Sequence, residues 1–126
     1  MKQTIDHKFS RLEKIIGKEK LNVLKNKSVL ILGCGGVGGY VVESLARSGI
    51  GTLILVDFDV IDESNINRQI IALDSTIGKN KVDVFEERIK DINKLVYNKP
   101  FLIKTKNEKY KQLIKLKNES EHKNAA

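Results

Sequence analysis

The run V-L-I-L-G-C-G-G-V-G-G at Val29–Gly39 constrains this chain more than any other feature. An apolar stretch passes straight into glycines, and the glycines open a segment in which Val41, Val42, Leu45 and Ala46 fall on one helical face. That helix is expected from Val37 to Arg47, with Gly49 suited to the C′ position. A second apolar run, Thr52–Val56, comes next. Strand, helix and strand with short links predict a right-handed parallel βαβ unit. The first strand, Lys27–Gly33, is apolar without alternation, as a strand buried on both faces would be.

The 126 residues suffice for one small α/β domain. No apolar run reaches the ~18 residues of a membrane span, and the N-terminus has no apolar signal core. A single cysteine cannot form an internal disulfide, which fits a cytoplasmic location. The net charge of +7 would suit a nucleic-acid partner, but it is unevenly placed. Residues 1–93 hold 14 Lys/Arg against 13 Asp/Glu, whereas residues 94–126 hold 9 Lys against 3 Glu. Such a basic tail either meets RNA phosphates or is simply solvated.

Three segments are expected: a helical segment at 1–26, a Rossmann-like unit at 27–93 and a basic tail at 94–126. Ser10-Arg11-Leu12-Glu13 reads as a capping box, with Leu12, Ile15 and Ile16 on the face behind it. Gly17 should break that helix before a short second one over Leu21–Leu24. Asp59–Asn67 reads as a polar loop. Residues 80–92 read as a helix, because Val82, Phe85, Ile89 and Ile92 recur with helical spacing. Phe101–Ile103 could form a third strand. Beyond it, only Leu113, Ile114 and Leu116 keep weak helical spacing, and the tail otherwise reads as frayed or disordered.

Gly33, Gly35 and Gly38 satisfy G-x-G-x-x-G between a strand and a helix. The first glycine permits the turn, the second lets a phosphate approach the backbone, and the third lets helix and strand pack closely. The N–H groups of the helix start would face that phosphate. Asp57 ends the second strand 24 residues after Gly33 and can accept hydrogen bonds from ribose hydroxyls, which NAD and ATP both carry. Asp59 either joins it or caps the following turn. Asn65, Asn67, Arg68 and Gln69 form a polar cluster that a simple dehydrogenase does not need. The loop has no lysine of its own, so Arg68 with Lys79 or Lys81 could supply positive charge to a triphosphate. Lys81 opens a helix, where the dipole disfavours a cation, which hints at a ligand. Cys34 is either a reactive thiol or a small residue filling space under the loop. His7 and His122 are too isolated for a metal site.

With these residues assembled, the chain resembles the ubiquitin-activating-type adenylyltransferase superfamily, the ThiF-MoeB-HesA group. G-C-G-G-V-G-G, D-F-D, N-I-N-R-Q and G-K-N-K occur in that group's order and spacing. Within it, K-F-S-R-L-E-K-I-I-G and A-R-S-G-I-G most resemble the tRNA threonylcarbamoyladenosine dehydratases. The resemblance covers roughly residues 7–93. It implies that Gly33, Gly35, Gly36 and Gly38 line ATP, Asp57 binds the ribose, and Asn65 and Arg68 contact phosphates. It also implies that Lys81 binds the α- and β-phosphates, and that Arg11 is lent to the site of a dimer partner. Arg68 and Lys81 would be the catalytic pair, in an ATP- and Mg²⁺-dependent adenylation of a carboxyl group. That carboxyl belongs either to threonylcarbamoyladenosine in tRNA or to the C-terminus of a sulfur-carrier protein.

The resemblance lapses after Asn93. The strand, the Mg²⁺-holding aspartate and the substrate-binding half that the group carries are not found, and no Asp follows Asp91. A truncation or frameshift is the simplest expectation, leaving an incomplete sheet that should dimerise, aggregate or be marginally stable. An NAD-binding domain and a non-catalytic interaction fragment remain the alternatives.

Overall fold

The computed structural model describes residues 7–93. A 3₁₀ turn, His7–Phe9, leads into α1 (Ser10–Ile16) and α2 (Lys18–Lys25). Then come β1 (Ser28–Leu32), α3 (Gly36–Arg47), β2 (Thr52–Val56), a 3₁₀ turn at Glu63–Asn65, and α4 (Lys81–Ile92). The expected elements up to Asn93 are therefore present, while the third strand at Phe101–Ile103 and the tail lie outside the described residues.

The two strands pair in parallel, with Ser28 opposite Thr52 and Leu32 opposite Val56, so α3 is the crossover of a βαβ unit. The turn from α3 into β2 is a Schellman motif. The Gly49 N–H donates to the Ala46 carbonyl at 3.3 Å, and the Ile50 N–H donates to the Leu45 carbonyl at 3.2 Å. Ile31, Leu53 and Leu55 on one sheet face meet Val42 and Ala46 of α3 and Val82, Phe85 and Ile89 of α4. The apolar spacing read from the sequence for α4 matches the face it buries, and in α3 Val42 and Ala46 are buried with Leu45 packed against them. Val41, expected on the same face of α3, is instead 41% exposed, because it lies at the edge of that stripe.

Three expectations need correction. β1 is not buried on both faces: Ile31 is covered, but Leu30 is 53% exposed, because the described helices pack on one face of the sheet. Ser10 is not an N-cap. The preceding turn moves the cap to Phe9, which makes Ser10 the first helical residue, and its hydroxyl donates back to the His7 carbonyl at 3.0 Å. Asp59–Asn67 is not merely a polar loop, since Ile61 enters the core, as do Ile71 and Ala72 beyond it. Their apolar side chains follow neither strand nor helix spacing, so periodicity cannot reveal them. The α1 face formed by Leu12, Ile15 and Ile16 buries no residue among those described.

Candidate functional site

The glycine loop extends the parallel ladder. The Gly33 N–H donates to the Val56 carbonyl at 2.9 Å, one step beyond the last paired residues. Gly33 then takes φ of 91°, which turns the chain toward α3 and which other L-residues adopt at a cost. Gly38 lies so close to the start of the loop that a Cβ there would collide with the Gly33 carbonyl. Helix and strand therefore pack as the third glycine of the motif predicts.

Asp57 holds this loop. It is buried at 5% exposure, its Oδ2 accepts from the Cys34 N–H at 2.6 Å, and its Oδ1 accepts from the Asp59 N–H at 2.7 Å. A carboxylate bonded to backbone amides on both oxygens fixes the loop to the end of β2. The sequence reading gave Asp57 only a ribose role and missed this one, because spacing says nothing of what bonds a carboxylate locally. Cys34 is fully buried within the core cluster, which matches its reading as a space-filling residue under the loop.

The segment after β2 brings Arg68 and Gln69 of the polar cluster beside the loop. Asp62 and Asn65 cap each other. The Asn65 Oδ1 accepts from the Asp62 N–H at 2.9 Å, and the Asp62 carboxylate accepts from the Ser64 N–H at 2.9 Å. The bond from the Ser64 hydroxyl, first among the causes, holds the Asp62 carboxyl below the usual carboxylate range. Asn65 thus has a local structural task that the sequence reading did not foresee. Arg68 donates from Nη1 to the Ser64 carbonyl at 3.0 Å and to the Asn67 Oδ1 at 2.9 Å. It shares with Gly36 an open, mostly apolar groove along α3 that includes Val37, Tyr40 and Val41.

Gln69 is buried against the loop, with its Nε2 3.7 Å from the position a Cβ would take on Gly35. Its Oε1 has no hydrogen-bond partner among the described residues. A buried acceptor left unmade costs roughly 1–3 kcal/mol.

Lys81 is the first residue of α4, as its position opening a helix implied. Its N–H donates to the Asp59 carbonyl at 3.1 Å, and its Nζ lies 3.8 Å from Asp59 Oδ2. The Lys81 side chain is almost fully buried, while that of Asp59 is largely exposed. Gly35, Gly36, Asp57, Asp59, Asn65, Arg68 and Lys81 therefore come from the loop and the two segments that follow β2. Arg11 sits apart, exposed on α1.

A family model described as the ThiF family matches residues 9–120. The chain belongs to the ThiF family. It is 56% identical over 87 residues to the tRNA threonylcarbamoyladenosine dehydratase of Bacillus subtilis (strain 168), an overlap of 69% of this chain and 34% of that protein. The fold is similar to that of E. coli tRNA N6-threonylcarbamoyladenosine dehydratase, TcdA, in a crystal structure with ATP. The TM-score there is 0.73 at 33% identity, over 79% of this chain and 40% of that one. E. coli MccB is similar as well, with a TM-score of 0.69 at 32% identity, over 83% of this chain and 30% of that one. The chain spans about a third of the length of the tRNA threonylcarbamoyladenosine dehydratases it matches.

Proposed function

We propose that this chain carries the ATP-binding part of an enzyme that activates a carboxyl group by adenylation. The observation that carries this reading is the pairing of an amide-lined helix start with two cations from elsewhere in the chain. α3 opens at Gly36 with no side-chain cap, while Arg68 and Lys81 come from the segment after β2. A loop with no cation of its own gains charge for a triphosphate in this way. Similarity to a relative whose structure was solved with ATP supports the same reading.

In the proposed site Gly33, Gly35, Gly36 and Gly38 line the nucleotide. Asp57 accepts from the ribose with the lone pairs left over from its two amide bonds. Asn65 and Arg68 meet the phosphates and Lys81 meets the α- and β-phosphates, its Nζ lying beside Asp59. A substrate carboxylate attacks the α-phosphorus, the bond to the bridging oxygen breaks, and pyrophosphate leaves with the charge that Arg68 and Lys81 stabilise. The substrate of choice is threonylcarbamoyladenosine in tRNA, in keeping with the relative in Bacillus subtilis. A sulfur-carrier C-terminus is the second candidate. Cytoplasmic location, a homodimer with Arg11 lent between copies, and three segments at 1–26, 27–93 and 94–126 complete the proposal. No described helix is long and apolar enough to cross a membrane.

Mg²⁺ finds no ready site among the described residues. No group of three or more His, Cys, Asp or Glu could hold a metal there, and Asp59 faces Lys81. No step is assigned to it.

Thermal-shift titration with ATP and NAD, on the native chain and on Arg68→Ala, tests the reading. ATP should protect the native chain more than NAD, and Arg68→Ala should lose most of the ATP protection. Stronger protection by NAD, unaffected by Arg68→Ala, would replace ATP with a dehydrogenase-type ligand.

A further inference from the structure

Gln69 has a buried side-chain oxygen with no partner among the described residues. Its backbone is fixed, since its N–H donates to the Asn65 carbonyl at 2.9 Å and its carbonyl accepts from the Ala72 N–H at 3.0 Å. The side chain is then carried into the interior, 8% exposed, and ends at the glycine loop with Nε2 facing Gly35. Gly35 is the N-cap residue of the twelve-residue helix α3, and no side chain among the described residues caps that helix. A glutamine kept for structure alone would spend its buried Oε1 on a neighbouring N–H, yet this Oε1 has no partner among the described residues.

We propose that Gln69 is a phosphate-binding residue of the nucleotide site, donating from Nε2 to a phosphoryl oxygen seated at the N-terminus of α3. The inference rests on the nucleotide reading above and adds to it a residue outside the set assigned there. An ionised phosphate offers acceptors only, so the amide must present its –NH₂ end, and that is the end that meets the loop. The α3 amides and the Gln69 Nε2 then converge on one anion from two sides. Arg68, the preceding residue, lines the groove that begins at Gly36 and approaches the anion as a charge. Gln69 contributes direction rather than charge, which suits a position packed against backbone.

The test titrates the full chain with ATP and with adenosine, following amide shifts by NMR, and records Tm for each variant. Gln69→Met keeps length and removes both hydrogen-bonding ends. It should weaken ATP about tenfold, as loss of a charge-assisted bond does, leave adenosine within about twofold, and leave Tm equal or higher, because a buried orphan acceptor disappears. Gln69→Glu keeps the shape, puts a carboxylate against the phosphate, and should weaken ATP more than Met does, with adenosine again unchanged. This variant also carries the test should Gln69→Met fail to fold. ATP affinity unchanged in both variants overturns the proposal. So does an equal loss for ATP and adenosine, which would place the amide at the ribose or base, or a fall in Tm that tracks the loss of affinity. A native chain that shows no saturable ATP shift breaks the nucleotide reading itself, an outcome distinct from the failure of Gln69 alone.

Discussion

The two sides of the glycine loop are built on opposite plans. On the β2 side, Asp57 is buried with both oxygens bonded to backbone amides, at 2.6 and 2.7 Å. On the side of the later turn, the groups are placed but only loosely engaged. The Lys81 Nζ is 3.8 Å from its carboxylate, the Gln69 Oε1 has no partner among the described residues, and Arg68 leans on a carbonyl and a neighbouring amide. The contrast separates groups that make the loop from groups held near it. Removing the first should cost stability, and removing the second should cost affinity at little expense to stability.

The largest effect should come from Asp57→Ala, which removes the carboxylate that accepts from the buried Cys34 N–H and frees the loop. Urea denaturation should show a loss of roughly 3 kcal/mol, accompanied by loss of ATP binding. A stable Asp57→Ala protein would dissolve the distinction between the two sides. Gly38→Ala comes next. Its new Cβ meets the Gly33 carbonyl, a backbone atom with little room to yield, so a loss of roughly 1–3 kcal/mol is expected in the same assay.

Glu43 supplies a control outside the site. Its carboxylate accepts from Arg88 Nε at 2.6 Å and Nη2 at 3.0 Å and from Arg47 Nε at 2.8 Å, tying α3 to α4. The Arg88 bonds above all hold its carboxyl below the usual carboxylate range, against the opposing effect of burial. Because the folded value is depressed, its stabilisation is complete above the unfolded pKa and is lost as pH falls through the folded one. Glu43→Gln should cost roughly 1.5 kcal/mol at neutral pH, converge with the native chain in acid, and leave ATP affinity unchanged. A native-to-variant gap that stays constant down to acid pH would remove the ion pair from the account.

The smallest stability effect should be that of Lys81→Met, within about 1 kcal/mol of the native chain. The same change should weaken ATP by at least about tenfold, since it deletes a cation from the phosphate side. A loss of stability comparable to that of Asp57→Ala would make Lys81 part of the loop's framework instead.

What the sequence disclosed and what it hid divide along similar lines. α3, α4 and the two strands were legible because each has a continuous or periodic apolar signal, and the glycines fixed where strand becomes helix. The one-sided cover of β1 was not legible, because Leu30 and Ile31 look alike until one knows which face the helices take. The candidate site was legible as a set of residue types. Its internal bonding was not. Nothing in the spacing of Asp57 announces the Cys34 amide, nothing in that of Asn65 announces its bond to Asp62, and Gln69 is one polar residue among four until it proves buried.

The bond between Cys34 and Asp57 joins residues 23 positions apart, and the rung just before it joins Gly33 to Val56. A chain emerging from the ribosome presents all its loop glycines well before it presents either acceptor. The loop therefore cannot take its final shape until Val56 and Asp57 have emerged. Nucleotide binding becomes available only once the second strand has been made and has docked, so the site is born late, as the closing act of the βαβ unit rather than its seed.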